Sequence, residues 1–403
     1  MTPMNLRPGV FSSVPAKVKW LIYFATPTVV AYGYLLVFIS AYLPELGLDP
    51  GSVGLLLGAS GAAFVVSAIP LGVISDKKGR KPLLLLGTIA LVPIPIIFAL
   101  TTEMPYLLVA SIIGGVSEGA FLSTWNAIIA DQTTLENRNQ AFSLSFIVTT
   151  IGIGLGSAFP VVFPSLQRLL ALDSYLVHMG FLVLSGLLAA VTPVALWILL
   201  RGYVETSHPQ MKFVGGKSMG LLLRFSAVNS LIGLGAGFII PLIPTWLFLK
   251  FSLPDTYSGP LLALSGLTMS LAAVASPRLA REYGSVRAIV ITQSLSLLFM
   301  FSLAFIPDVT LAATFYIIRS IFMNMATPVS DSFLMSIVPS EQRGLASAIN
   351  TLFWRLPNSF STVFGGLLLQ AGMFDTPFFL ATGFYVVSIS LFFAIFRNVR
   401  PSG

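Results

Sequence analysis

The chain has 403 residues and a net charge of +7, with only 9% charged residues against 56% hydrophobic ones and a mean hydropathy of +0.90. Soluble domains are about a quarter charged, so this sequence has too little polar surface to clothe a globule and reads as an integral membrane protein. Cysteine is absent, which excludes disulfides, thiolate metal sites and cysteine nucleophiles. The two histidines, His178 and His208, stand far apart and make no metal-ligand spacing.

In chain order, residues 1–19 are polar and run directly into a full-length apolar stretch, without the short apolar core and small-residue cleavage site of a signal peptide. The first helix is therefore expected to be retained. A membrane span needs about 20 apolar residues, and twelve stretches qualify: 20–43, 51–74, 82–100, 105–130, 141–163, 176–200, 219–249, 257–277, 288–306, 310–337, 344–370 and 376–396. Residues 201–218, "RGYVETSHPQMKFVGGKS", form the longest polar break and divide a six-span bundle over 20–200 from a second over 219–396, followed by a tail at 397–403. Of the 22 lysines and arginines, eighteen fall in the alternate loops and tails that share a side with the N-terminus. Only Arg168 and Lys250 lie in the opposite loops. That bias marks cytoplasmic loops, so both termini are expected in the cytoplasm of a plasma-membrane protein. The positive charge is an orientation signal, and a nucleic-acid partner has no support.

The two halves also echo each other. "GYLLVFISAYLPELGLDP" (33–50) follows the hydropathy of "GFIIPLIPTWLFLKFSLP" (237–254), and "ENRNQAFSLS" (136–145) that of "EQRGLASAIN" (341–350). A duplicated six-helix unit is a transporter plan, with the substrate site between the halves near the midplane. Between the second and third spans lies "GVISDKKGRKP" (72–82), with Gly72, Asp76, Gly79, Arg80 and Lys81 in the pattern G-x-x-x-D-x-x-G-R-K. This loop, in a twelve-span 6+6 chain, resembles the signature loop of the major facilitator superfamily. The resemblance covers essentially the whole chain and says almost nothing about substrate. It implies an all-α fold of two pseudo-symmetric bundles that works by alternating access. It also implies that Asp76 caps the N-terminal end of the eleventh span, near Glu341–Gly344, when the cytoplasmic side is closed. A carboxylate so placed gains about 0.3–1 kcal/mol. The plainer reading is an orientation anchor only. In the second half "PRLAREYGSVR" (277–287) keeps Gly284 and puts Arg281 in place of the acid.

A charge at bilayer depth costs at least about 2.5–3.5 kcal/mol and calls for a role. Glu118 lies in the fourth span, Arg319 and Asp331 in the tenth, and Arg355 in the eleventh. At 1.5 Å per residue, Arg319 and Arg355 fall at one level in the outer half, with Glu118 roughly one to two turns deeper. In the family spans one, four, seven and ten line the cavity, so Glu118, Arg319 and Asp331 are expected to face it. Glu118 is the proton-coupling candidate, since a desolvated carboxyl titrates nearer neutrality. The alternative is a structural pair with Arg319 or Arg355. Arg355 is split between a cavity role and either snorkelling or bonding to backbone carbonyls. Asp331, near the cytoplasmic end, reads as an interfacial or gate residue.

"IGIGLGSAFP" (151–160), with Gly152, Gly154 and Gly156, resembles the span-five antiporter motif of drug-exporting members, although Ser157 stands where that motif has proline. Small residues also serve close helix packing in lipid. Pro241 and Pro244 are expected to hinge the outer half of the seventh span. Tyr23, Tyr32 and Tyr34 in the first span are read as substrate-stacking or packing residues, with packing preferred for at least two. No residue pattern supports an enzyme or a bound cofactor. The expectation is a monomeric, proton-coupled carrier of a small solute in the lipid bilayer, leaning to efflux of amphipathic or drug-like compounds. Uptake of an organic anion, or a non-transporting sensor or lipid-handling protein on the same fold, stay open as alternatives.

Overall fold

The structure, a computed structural model, describes residues 11–134, 136–204, 217–339 and 343–399. Most of the expected linker and Glu341, part of the expected capping site for Asp76, lie outside these residues. Long apolar sequence has nowhere to place its backbone polar groups in lipid except in helices. Among the described residues the chain forms twelve membrane-length rods. Span 1 is Ala16–Glu45, span 2 Pro50–Lys78, span 3 Arg80–Leu100, span 4 Met104–Asp131, span 5 Arg138–Leu170 and span 6 Ser174–Leu199. The second half comprises span 7 at Met219–Phe251, span 8 at Asp255–Tyr283, span 9 at Ser285–Leu303, span 10 at Val309–Ser336, span 11 at Arg343–Gln370 and span 12 at Thr376–Phe396. Ten are apolar enough to cross a membrane on composition alone. Span 11 is as long but more polar. It has a reason: its Asn350, Thr351 and Asn358 face a cavity.

Local chemistry sets the ends. Asp49, Asp173 and Asp308 begin spans 2, 6 and 10 by accepting bonds from the backbone N–H groups of Ser52, Leu176 and Leu311 at 2.9, 2.7 and 2.8 Å, the standard use of an acid at a helix start. Gly79 and Gly284 end spans 2 and 8 with φ of 106° and 80°, a conformation that costs glycine least. The glycine shared by the two copies of the loop thus makes the same turn in each.

Among the described residues, spans 1, 5 and 7 are the most irregular in the part remote from the chain termini. Span 1 passes through a π-helical turn at Phe38–Tyr42, span 5 tightens to a 3-10 turn at Phe159–Val162, and span 7 breaks after Gly237 before restarting through Ile240–Leu242. Pro241 and Pro244 both stand in first turns after that break, where their missing N–H groups cost nothing.

Packing differs between the two ends of the bundle. At the end remote from the termini, one hydrophobic cluster joins both halves, running from Phe38 and Leu56 to Trp246 and Leu303. At the terminal end each half keeps its own cluster, one around Leu21, Trp125 and Leu196 and another around Phe225, Phe333 and Phe396. The remote seam is tight because glycines form it. A β-carbon on Gly54 would stand 2.7 Å from the Thr362 carbonyl oxygen, and one on Gly366 2.4 Å from that of Pro50. The halves are therefore closed together at the remote end and divided toward the termini.

Candidate functional site

Among the described residues, two acid–base pairs cross from one half to the other. Glu118 of span 4 and Arg355 of span 11 meet at 2.5 Å, their side chains 24% and 32% exposed. The Arg355 guanidinium also lies 4.5 Å from the centre of the Phe64 ring, and the half-buried Tyr32 hydroxyl stands near Glu118. Helix depth put Glu118 below Arg355. The long arginine side chain spans the difference, and Arg355, not Arg319, is the partner.

Arg319 turns into the second half instead. It is 5% exposed, its guanidinium donates to the Tyr385 hydroxyl at 2.8 Å, and its Nε has no hydrogen-bond partner. It lines a cavity of about 460 Å³, together with Gln293, Asn229, Asn324, Trp354 and Asp331. Arg355 reaches the same space from span 11. Asp331 is exposed into it. The matching pocket in the first half, lined by Leu35, Leu56, Ile94 and Phe98, holds about 50 Å³ and no charged residue.

The second crossing pair was not legible from spacing. His178 of span 6 and Asp255 at the start of span 8 meet at 2.8 Å, 1% and 3% exposed. His178 Nδ1 lies 2.7 Å from the Ser174 carbonyl oxygen, and its ring stacks on Tyr42 in the π-helical turn with 3.4 Å between centres. The Asp255 backbone N–H donates to Glu45 at 2.6 Å, and the Thr245 hydroxyl donates to the Ser40 carbonyl at 2.5 Å. A π turn adds a residue to the helix and re-aims the side chains around it. Here it presents Tyr42 to the histidine.

The signature loop is folded onto its own half. Arg80, buried, reaches Asp131 at the end of span 4 at 2.5 Å, and the Tyr203 hydroxyl bonds the same carboxylate. Burial, then the hydrogen bond and charge of Asp131, hold the Tyr203 phenol above its ordinary pKa. Lys81 donates to the Leu200 carbonyl at 2.8 Å, holding the end of span 6. Asp76 is 64% exposed and 3.6 Å from Arg80, and Gly72 is open on its outer face apart from Ser123. In this conformation Asp76 faces water.

The span-five glycines pack. A β-carbon on Gly156 would meet the Val30 carbonyl oxygen at 2.0 Å and one on Gly152 the Val29 side chain at 3.1 Å, while the Ser157 hydroxyl donates to the Gly33 carbonyl at 3.2 Å. Span 7 lies on span 11 in the same way, since a β-carbon on Gly237 would meet the Asn358 carbonyl oxygen at 2.1 Å. Of the span 1 tyrosines, Tyr34 is fully buried among Phe38, Phe159 and Phe163, Tyr23 is exposed, and Tyr32 alone faces the charged pair.

Two six-span bundles around a polar, partly wet centre, closed at one end, define a multi-pass membrane carrier rather than an enzyme. The chain belongs to the Major Facilitator Superfamily, whose family model matches residues 20–226 and 225–403. It is 22% identical over 364 residues to "Multidrug resistance protein 1" of Bacillus subtilis (strain 168), covering 86% of this chain and 88% of that one. It is 27% identical over 271 residues to "Tetracycline resistance protein, class H" of Pasteurella multocida, covering 64% of each. Among solved structures, a bacterial homolog of the human lysosomal transporter Spinster superposes with a TM-score of 0.75 at 15% identity, over 95% of this chain and 96% of that one. The human organic anion transporter MFSD10 does so with a TM-score of 0.65 at 17% identity, over 94% and 100%. The chain is a transporter of the superfamily.

Proposed function

We propose that this transporter is a proton-coupled exporter of small amphipathic compounds, resident in the plasma membrane with both termini in the cytoplasm. The basic residues gathered on the terminal side support the orientation, and with that orientation the present conformation opens inward. The drug-resistance names of the relatives support export.

The observation that carries the coupling is the Glu118–Arg355 pair, an acid and a base from opposite halves at 2.5 Å in a place water reaches. As a carboxylate, Glu118 holds Arg355 and draws the halves together at mid-depth. A proton on Glu118 removes its charge, frees Arg355 and lets the halves move apart. Proton entry from one side and release to the other then alternate with the conformations. Phe64 supports Arg355 from its ring face, so the cation keeps a partner when the carboxylate is protonated.

Purified protein in proteoliposomes tests this. Glu118→Gln, which mimics the protonated acid, should retain substrate binding and exchange but lose accumulation driven by a pH gradient. Wild-type accumulation by Glu118→Gln would overturn the proton reading. Labelling from outside intact cells of a single cysteine at position 210 would overturn the orientation.

A further inference from the structure

We infer that the cavity of the second half is a binding subsite for the acidic group of the transported compound, a carboxylate, sulfonate or phosphonate, seated on Arg319. The inference rests on the transporter reading of the chain and adds the substrate class.

Arg319 is always protonated, yet it is 5% exposed and, among the described residues, no carboxylate reaches it. Its one side-chain partner is the neutral Tyr385 hydroxyl, and its Nε is buried with nothing to bond. A buried cation without a counter-ion is costly, and the cost falls when an anion is supplied. The acids nearby are committed or distant. Glu118 is taken by Arg355. Asp331 shares the cavity but lies twelve residues further along the same helix, about 18 Å at 1.5 Å per residue.

The rest of the lining completes a receptor. A guanidinium offers a planar pair of donors that an acidic group accepts. Gln293, Asn229 and Asn324 surround the space with amides, and Trp354 supplies an aromatic wall. At about 460 Å³, the cavity matches the pockets that hold drug-sized ligands. The first-half pockets lined by Leu35 and Phe98 and by Phe24 and Ile198 are apolar and carry no cation. An amphipathic acid thus fits with its charged end in the second half and its apolar end toward the first.

The test compares three probes of one shape on the purified full chain in zwitterionic detergent: 1-naphthoate, its methyl ester and 1-naphthylmethylammonium. Thermal shift and equilibrium binding should rank the anion first, and Arg319→Gln should weaken naphthoate at least tenfold while leaving the ester unchanged. If Arg319→Gln does not fold, Tyr385→Phe serves, since it releases the guanidinium and should weaken naphthoate about threefold to tenfold. Failure of wild type to prefer the anion, or equal naphthoate binding by the variants, overturns the subsite. Displacement of naphthoate by phosphatidylglycerol added to the micelles reassigns the cation to a lipid headgroup and also overturns it. Proteoliposomes separate this from the function itself. Bound naphthoate that never crosses the membrane sinks the export reading and leaves the subsite. Naphthoate transport undiminished in Arg319→Gln sinks the subsite and leaves export.

Discussion

Glu118–Arg355 and His178–Asp255 each pair an acid with a base across the two bundles, at 2.5 and 2.8 Å, yet one is a quarter to a third exposed and the other is sealed. In the sealed pair, burial strips both partners of water, so each depends on the other and the bond behaves as a latch. In the wet pair, water replaces whichever partner leaves, so the bond can be made and broken in every cycle at little cost. In the proposed cycle, similar geometry therefore yields a fastening at the remote end and a switch at the centre. Solvent access sets the difference.

The largest test breaks the latch. Asp255→Ala leaves His178 buried without its partner and the Glu45 contact disturbed, and should lower stability by about 3–5 kcal/mol, read as thermal unfolding in detergent. A loss below about 1 kcal/mol would show that the sealed pair is no more a fastening than the wet one. Next comes the seam beside it. Gly54→Val places carbon where the Thr362 carbonyl oxygen stands 2.7 Å away, so the remote end should open. Spin-label distances across spans 2 and 11 should show the remote-open population rise at least tenfold, equivalent to about 1.4 kcal/mol. An unchanged distribution would mean that the latch alone holds that end.

An acid belonging to neither pair gives a baseline. Asp49→Ala removes a helix start and should cost about 1 kcal/mol. Burial raises the Asp49 pKa, but the bonds from Ser52 outweigh it and the net shift is downward. A lowered pKa stabilises above the unfolded value, so the difference between wild type and Asp49→Ala should be full at pH 7. It should shrink as the pH falls below about 4. A difference that grows on acidification would refute the sign. The smallest stability effect is expected at the wet pair. Glu118→Gln should cost less than about 1 kcal/mol, because Arg355 keeps Phe64 and water, even as coupled transport is lost. A drop as deep as that of Asp255→Ala would turn the switch into a second latch.

The twelve spans were readable because apolar length survives any packing, and Glu118, Arg319 and Arg355 announced themselves as charges in apolar sequence. Even the more polar span 11 could be read from its length as an apolar stretch over 344–370. The partnership of Glu118 with Arg355 was narrowed to two arginines and no further, because helix depth ignores how far a guanidinium reaches. The latch was illegible for a different reason. Asp255 sits in "SLPDTY" and His178 in "DSYLVHM", each at the edge of a span where charge is unremarkable, and they lie 77 residues apart. Only the docking of span 6 against span 8 makes them neighbours. The π turn that carries Tyr42 left no mark in composition either. Arg80 was read for its sidedness, while its bond to Asp131 depended on the fold of its own half.

The glycine seam between spans 2 and 11 has a kinetic consequence. Where Gly54, Gly58 and Gly366 lie against neighbouring backbone, few side chains interlock, so parting the surfaces requires few rotamers to unhook and refit. Such a joint slides with little friction. On the proposed coupling, turnover is then governed by how fast protons and solute reach the charged groups, and the helices follow.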